Sequence, residues 1–196
     1  CQSRQVQLHL RNKMIGADFD KITEELDPDV IESLSKKHSE LKSLLEDPDR
    51  LELISKDLVH HFTEKQKVLK GKAMLAASTK LAAARYADLI SNIPGAPKCT
   101  CIISGSVISD DASEEKKSRE EVVSKHYKSK AEMVELIQQF KDGNNDLELL
   151  IVCDMYLTGF DAPVMHTMYI DKPLRDHNLI QAISRVNRVH KDKPNG

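Results

Sequence analysis

Four short apolar runs, separated by helical patterns, constrain the fold of this chain more than any other feature. The third run is apolar at every position, which is typical of a strand buried on both faces of a parallel sheet. The runs are Ala73–Ala77, Cys99–Ile103, Leu149–Cys153 and Met168–Ile170. Helical patterns cover residues 81–90, about 133–140 and about 178–188. This alternation predicts an α/β fold with a mostly parallel sheet flanked by helices.

The first 70 residues predict a helical segment that leads into the sheet domain, and residues 71–196 predict that domain. Asp47 and Pro48 are typical of a helix start, as a cap and a first helical residue. One apolar stripe follows at helical spacing, consisting of Leu51, Ile54, Leu58 and Phe62. A highly charged insertion at 108–130 predicts a solvated loop or an exposed helix. Because the chain lacks a starting Met and ends just after the last helix, we expect a piece of a longer protein.

Composition excludes several classes. Lys plus Arg number 29 and Asp plus Glu number 31, a net charge of −2, so the chain is not a wholly basic nucleic-acid binder. No apolar run approaches the roughly 18 residues of a membrane-spanning helix. Four cysteines are too few for a disulfide scaffold and have no neighbouring metal ligands, so we expect reduced cysteines and no metal site.

Polar residues follow the predicted strands. In a parallel sheet the carboxyl ends of the strands form one edge, where ligands usually bind. The sequence therefore predicts functional residues at this edge, among Ser78-Thr79, Ser104-Gly105, Asp154 and Asp171.

Two segments carry candidate chemistry. In the first, after the third strand, Gly159 permits a tight turn and Asp161 can accept hydrogen bonds from a ribose or a basic side chain, although a plain turn fits equally well. In the second, Gln181, Arg185 and Arg188 share one face of a helix. Two arginines and a glutamine suit a polyanion, including the arginine-finger role in phosphoryl transfer, and a salt-bridged surface helix is the alternative.

The order of these segments resembles a known family. The run Thr-Gly-Phe-Asp-Ala-Pro at 158–163 and the run from Asp171 to Arg188 look like motifs V and VI of superfamily 2 helicases. They resemble more closely the motor part of the R (restriction and translocation) subunit of type I restriction-modification enzymes. The resemblance covers about residues 47–192. It implies a RecA-like helicase C-terminal domain with a P-loop NTPase fold, the second motor domain of an ATP-dependent DNA translocase.

The resemblance assigns five residues to nucleic-acid binding. Ser78 and Thr79 match motif IV, which lies near the nucleic-acid phosphates in the family. Ser104 stands at a DNA-facing strand end where many relatives have a His-Gly pair, so this sequence departs from the pattern. Asp154 keeps the acid of a Thr-Asp pair, and Thr158 lies in motif V.

The resemblance assigns five further residues to ATP. Gly159 and Asp161 match residues that relatives place against the nucleotide, and Gln181 belongs to motif VI. Arg185 and Arg188 match the arginines that reach the γ-phosphate held by the first motor domain.

The sequence lacks a Gly-x-x-x-x-Gly-Lys-[Ser/Thr] phosphate loop and an Asp-Glu pair at a strand end. The resemblance therefore implies that ATP and Mg²⁺ are bound mainly by a first motor domain outside this sequence, and that this part alone is inactive. The implied partners are double-stranded DNA, the first motor domain and nuclease domain of the same chain, and modification and specificity subunits. The implied location is the cytoplasm of a bacterium or archaeon, away from membranes.

Two alternatives stay open. One is the second motor domain of another superfamily 2 helicase, such as an excision-repair protein. The other is a non-enzymatic α/β scaffold whose arginine helix forms ordinary salt bridges.

Overall fold

A parallel sheet organises the molecule. The computed structural model describes residues 37, 39–105, 113–153 and 162–172. In this part of the chain five strands form one sheet: β1 (Lys72–Ala77), β2 (Cys99–Ser104), β3 (Tyr127–Lys128), β4 (Leu149–Cys153) and β5 (Met165–Asp171). Their order is β3-β2-β4-β1-β5, and every neighbouring pair is parallel. The predicted α/β class with a parallel sheet is confirmed.

Helices cover both faces of this sheet. They are α1 (Pro48–Val68), α2 (Lys80–Ser91), α3 (Glu114–Ser124) and α4 (Lys130–Lys141), and residues 39–45 are also helical. Successive residues of a strand point to opposite faces. Accordingly Leu75 joins the apolar cluster formed with α1 and α2, whereas Met74 joins the cluster formed with α4. All six residues of β1 are buried for this reason, which explains the uninterrupted apolar run from Ala73 to Ala77 that follows Lys72.

Helix α1 begins as its sequence predicts. The Asp47 carboxylate accepts a hydrogen bond from the Arg50 backbone amide at 2.8 Å, and Pro48 takes the first helical position. Leu51, Leu58 and Phe62 of the predicted stripe are buried in the same cluster as β1 and α2. The boundary at residue 70 stays a prediction.

Two elements differ from the sequence prediction. The charged insertion contains helix α3, capped by Ser113, which agrees with the exposed-helix alternative, but it also contains the two-residue strand β3, which the sequence did not indicate. Strand β5 starts at Met165, three residues before the predicted start at Met168. The prediction was too short because the polar residues His166 and Thr167 interrupt the apolar pattern of the sequence. Both are buried, and His166 Nδ1 lies 2.6 Å from Thr167 Oγ1, so their polar atoms bond each other inside the sheet. The predicted helix at 178–188 lies outside the described residues.

Neither a membrane span nor a metal cluster is present in the part of the chain that the structure describes. None of its helices is long and apolar enough to cross a bilayer. Nowhere in the same ranges do three His, Cys, Asp or Glu side chains come together as ligands for a metal ion. Burial raises the pKa of the Cys101 thiol to about 12, so this thiol is protonated and weakly reactive at neutral pH.

Candidate functional site

The carboxyl ends of three neighbouring strands line one cleft. Ser78 and Thr79 follow β1, Ser104 ends β2 and Cys153 ends β4, and all four line a cleft of about 620 Å³. The parallel register of β1, β2 and β4 brings these ends to the same edge. The structure therefore places together the three predicted nucleic-acid-binding residues that it describes, Ser78, Thr79 and Ser104. Their binding role stays a prediction.

The start of helix α2 forms the floor of the cleft. The Thr79 hydroxyl caps the helix by accepting a hydrogen bond from the Ala82 amide at 3.1 Å. The amides of Lys80 and Leu81 belong to the first turn, where backbone donors have no partner within the helix. Because the helix dipole also places partial positive charge there, this floor favours an anion.

Two polar side chains on this floor behave differently. Lys80 Nζ donates to the Ser104 carbonyl at 2.8 Å, which ties α2 to the end of β2. The Ser78 hydroxyl is shielded from solvent and has no hydrogen-bond partner within the described ranges. The backbone amides at the start of α2 and the two remaining N–H donors of the Lys80 ammonium, rather than the Ser78 hydroxyl, are therefore the groups that the floor presents to a ligand.

The opposite wall comes from α3 and from the helical residues that precede α1. The cleft-lining residues here are Lys42, Glu46, Lys116, Arg119, Glu120 and Val123. Arg119 forms an ion pair with Glu46, which is 4% exposed, and Arg85 Nη1 donates to the Glu46 carbonyl at 2.5 Å. Glu120 accepts a hydrogen bond from the Tyr127 hydroxyl. Both acids of the cleft are thus engaged with neighbouring side chains.

Among the described residues that line the cleft, positive charge exceeds negative charge. They include four bases (Lys42, Lys80, Lys116 and Arg119) and two acids (Glu46 and Glu120). Within the described ranges Lys42 and Lys116 have no carboxylate partner, and both are exposed. A chain with a net charge of −2 therefore presents a locally cationic cleft at the carboxyl edge of its sheet.

The end of β5, at the same edge, has a different character. Asp171 accepts hydrogen bonds from both terminal nitrogens of Arg50, with 3.0 Å between Nη1 and Oδ2, and from the Tyr86 hydroxyl at 2.5 Å. Burial and then the negative charge of Asp171 raise the pKa of the Tyr86 phenol above its ordinary value of 10.0. Burial acts to lower the pKa of Arg50, but the Asp171 carboxylate outweighs it, and the pKa is raised. Asp171, which the sequence placed among the functional candidates, is committed to joining β5, α1 and α2.

Lys72, next to Gly71, has a structural position at the opposite edge. Its ammonium donates to the carbonyls of Gln139 at 3.2 Å and Asp142 at 2.6 Å, at the end of α4. A cation there complements the negative end of the helix dipole. The Gly-Lys pair at 71–72 is therefore part of the fold and lies away from the cleft.

Seven predicted site residues lie outside the described residues: Asp154, Thr158, Gly159, Asp161, Gln181, Arg185 and Arg188. Conversely, the sequence prediction did not single out Lys42, Lys116 and Arg119. Lys116 and Arg119 are spaced three apart, which places them on one side of a helix. That spacing can be seen in the sequence, but the sequence of a charged helix does not indicate which part of the fold the helix packs against.

The comparisons with known proteins agree with this architecture. A parallel α/β domain with a cleft at its carboxyl edge belongs to the broad class of open α/β folds that bind their ligands there. The family described as type I restriction enzyme subunit R domain 3 (T1R_D3-like) matches residues 69–196. The chain belongs to this family of type I restriction enzyme R subunits.

Individual relatives carry the same description. The chain is 39% identical over 197 residues to the putative type I restriction enzyme MjaIXP endonuclease subunit of Methanocaldococcus jannaschii, covering 100% of this chain and 18% of the relative. It is 36% identical to the type I restriction enzyme HindI endonuclease subunit of Haemophilus influenzae, covering 99% of this chain and 18% of the relative. The chain thus spans about a fifth of the length of these relatives.

Proposed function

We propose that this chain is part of the ATP-dependent DNA-translocating motor of a type I restriction endonuclease R subunit. In this proposal the cleft is part of the DNA track, and motifs V and VI supply half of an ATP site. The observation that supports the DNA track is the convergence of a helix start and exposed lysines on one cleft at the carboxyl edge. The proposed ATP role rests on the family to which the chain belongs and on the matched motifs.

The chemistry of the cleft suits the backbone of DNA. Backbone phosphates are bound by lysine side chains, backbone amides and helix starts, without reading sequence. The first turn of α2 supplies amides, and Lys42, Lys80 and Lys116 supply positive charge. We assign Ser78, Thr79 and Ser104 to this track as residues that line the cleft at the strand ends, not as hydroxyl donors, together with Asp154 and Thr158.

The ATP half of the proposal concerns residues outside the described ranges. Gly159, Asp161 and Gln181 are proposed to contact the nucleotide, and Arg185 and Arg188 its γ-phosphate. Arginines in that position stabilise the charge that develops on a transferring phosphoryl group. ATP and Mg²⁺ are proposed to bind mainly to a first motor domain of the same polypeptide, so closure of the two domains brings the arginines into place.

The wider setting completes the proposal. We infer that a nuclease domain of the same polypeptide cuts the DNA and that modification and specificity subunits select the target. The relatives are named endonuclease subunits of type I restriction enzymes, which supports this setting. The proposed location is the cytoplasm of a bacterium or archaeon.

The test replaces Arg188 by Ala in the full-length protein and measures DNA-stimulated ATP turnover together with DNA binding. We expect turnover to fall by about 10³-fold or more, because an arginine finger contributes at least that much. DNA affinity should stay near the wild-type value. Lys191→Ala is the matched control, since it removes a nearby positive charge outside the motif, and it should retain turnover. Equal turnover in wild type and Arg188→Ala would exclude the finger role, and a wild type without DNA-stimulated turnover would exclude the motor.

A further inference from the structure

Helix α3 presents two different sets of charged residues. Lys116 and Arg119 line the cleft together with the strand ends. Lys117 instead pairs with Glu114 at 3.2 Å, and both of these side chains are exposed. Adjacent residues of a helix project about 100° apart, so Lys116 and Lys117 differ in position while sharing charge and chain length. The helix therefore has a cleft-lining side and a solvent-paired side.

Helix α3 is held at the cleft by contacts that do not involve Lys116. Arg119 pairs with Glu46, whose backbone carbonyl accepts a hydrogen bond from Arg85 of α2. Val123 is buried in the apolar cluster shared with α2. His126, just after α3, lies 3.0 Å from Asp88 of α2. These contacts pack the helix against the rest of the fold, and the exposed Lys116 lies on the part of the helix that lines the cleft.

The charge at the cleft suits an extended polyanion. Lys42, Lys80 and Lys116 come from three separate elements, so the positive charge is distributed around the cleft. The two acids among the described lining residues each have a partner, Glu46 through Oε2 with Arg119 and Glu120 with the Tyr127 hydroxyl. A ligand whose own charges are spread along its length, as in a phosphodiester backbone, can contact several of these lysines at once.

We propose that α3 is a DNA-backbone-binding element, and that Lys116 contacts a phosphate of duplex DNA lying in the cleft. Arg119 holds the helix in place through its ion pair with Glu46. This inference rests on the proposed function, because it assumes that DNA follows the cleft. It adds a wall of the track that comes from the charged insertion rather than from the strand ends.

The experiment measures the affinity of the full-length protein for random-sequence duplex DNA over a series of salt concentrations. The slope of log affinity against log salt is negative, and removing a lysine that neutralises one phosphate lowers the magnitude of this slope by about 0.9. We expect Lys116→Ala to lower the slope by about that amount. Lys117→Ala, which removes the same charge from the solvent-paired side, should keep the wild-type slope. Because both side chains are exposed, the thermal unfolding midpoints of the two variants should match that of the wild type.

The outcomes separate this inference from the proposed function. If wild-type binding depends on salt and both Lys116→Ala and Lys117→Ala keep the wild-type slope, Lys116 does not contact DNA, the inference is overturned, and the motor proposal stands. If both variants lower the slope equally, the effect is general electrostatic attraction rather than a contact at the cleft, and the inference is overturned. If the wild type binds duplex DNA weakly and without salt dependence, the DNA track itself is wrong and both proposals fail.

Discussion

The two halves of the carboxyl edge of the sheet use polar residues in opposite ways. At the end of β5, Asp171 accepts hydrogen bonds from Arg50 and Tyr86, and all three side chains satisfy one another. At the ends of β1 and β2, Lys116 has no carboxylate partner within the described ranges, and the first turn of α2 faces a cleft. The β5 half is closed by its own side chains, whereas the β1 and β2 half is open to a ligand.

This difference shows that position at a strand end does not by itself define a functional residue. A buried carboxylate such as Asp171 has hydrogen bonds to both of its oxygens, and removing it leaves an uncompensated cation. An exposed lysine without an acid partner is attracted to a negatively charged ligand. When no ligand is bound, water solvates its charge, so an unpaired ammonium at the surface destabilises the fold little. The partners of each polar group therefore separate the residues that hold the fold from those that are free to bind.

The largest expected effect comes from breaking the closed half. Asp171→Asn leaves the guanidinium of Arg50, 13% exposed, without its carboxylate, so the free energy of unfolding should fall by about 3–5 kcal/mol. Urea unfolding of the variant measures this change. Glu52→Gln, which removes the exposed pair between Lys56 and Glu52, is the control and should leave stability unchanged. Equal stability of the two variants would mean that the Asp171 network does not hold the fold.

A smaller loss is expected from Tyr86→Phe, which removes one hydrogen bond to a charged group. The free energy of unfolding should fall by about 1.5–3 kcal/mol near neutral pH. The pKa of Tyr86 is raised in the folded protein, so above about pH 10 the unfolded chain loses this proton and the folded one keeps it. The stability of the wild type therefore falls as pH rises through that range. Tyr86→Phe has no phenol at this position, so it lacks this loss of stability.

The measurement compares urea unfolding of wild type and Tyr86→Phe at pH about 8 and about 11. The stability difference between the two proteins should narrow at the higher pH, because only the wild type carries the ionisable phenol. The raised pKa of Cys101 acts equally in both proteins and cancels. A difference that stays constant with pH would contradict the assigned environment of Tyr86.

The smallest effect is expected in the open half. Ser78→Ala removes a shielded hydroxyl that has no partner within the described ranges, so stability should stay within about 0.5 kcal/mol of wild type. Ser55→Ala is the matched control, because the Ser55 hydroxyl is buried and donates to the Leu51 carbonyl at 2.8 Å. Its loss should cost about 1 kcal/mol. A larger loss for Ser78→Ala than for Ser55→Ala would show that Ser78 has a partner after all, and the contrast between the halves would fail.

Local sequence patterns predicted most of the sheet. The bounds of β4 agree with its apolar run, and β1 and β2 each differ by one residue, because buried parallel strands need apolar residues on both faces. The cap at Asp47 was equally visible, since its hydrogen bond spans only three residues. Strand β5 was predicted too short because two buried polar residues bond each other within it.

Contacts between distant residues were beyond the sequence pattern. Arg50 and Asp171 are 121 residues apart, and nothing near either residue indicates the other. The wall formed by α3 depends in the same way on the ion pair between Arg119 and Glu46, which are 73 residues apart. The strand ends of the cleft were predictable because parallel strands share one edge, whereas the charged wall opposite them was not.

Hydrogen–deuterium exchange of the full-length protein, with and without random-sequence duplex DNA, tests the contrast between the two halves most directly. We predict that DNA slows exchange of the amides at 80–82 and 114–118, which start α2 and α3 beside the cleft. Exchange at 50–52 and 169–171, around the Asp171 network, should be unchanged. DNA-dependent protection confined to the Asp171 network, or absent from both α2 and α3 while DNA is bound, would contradict the assignment of the cleft as the DNA track.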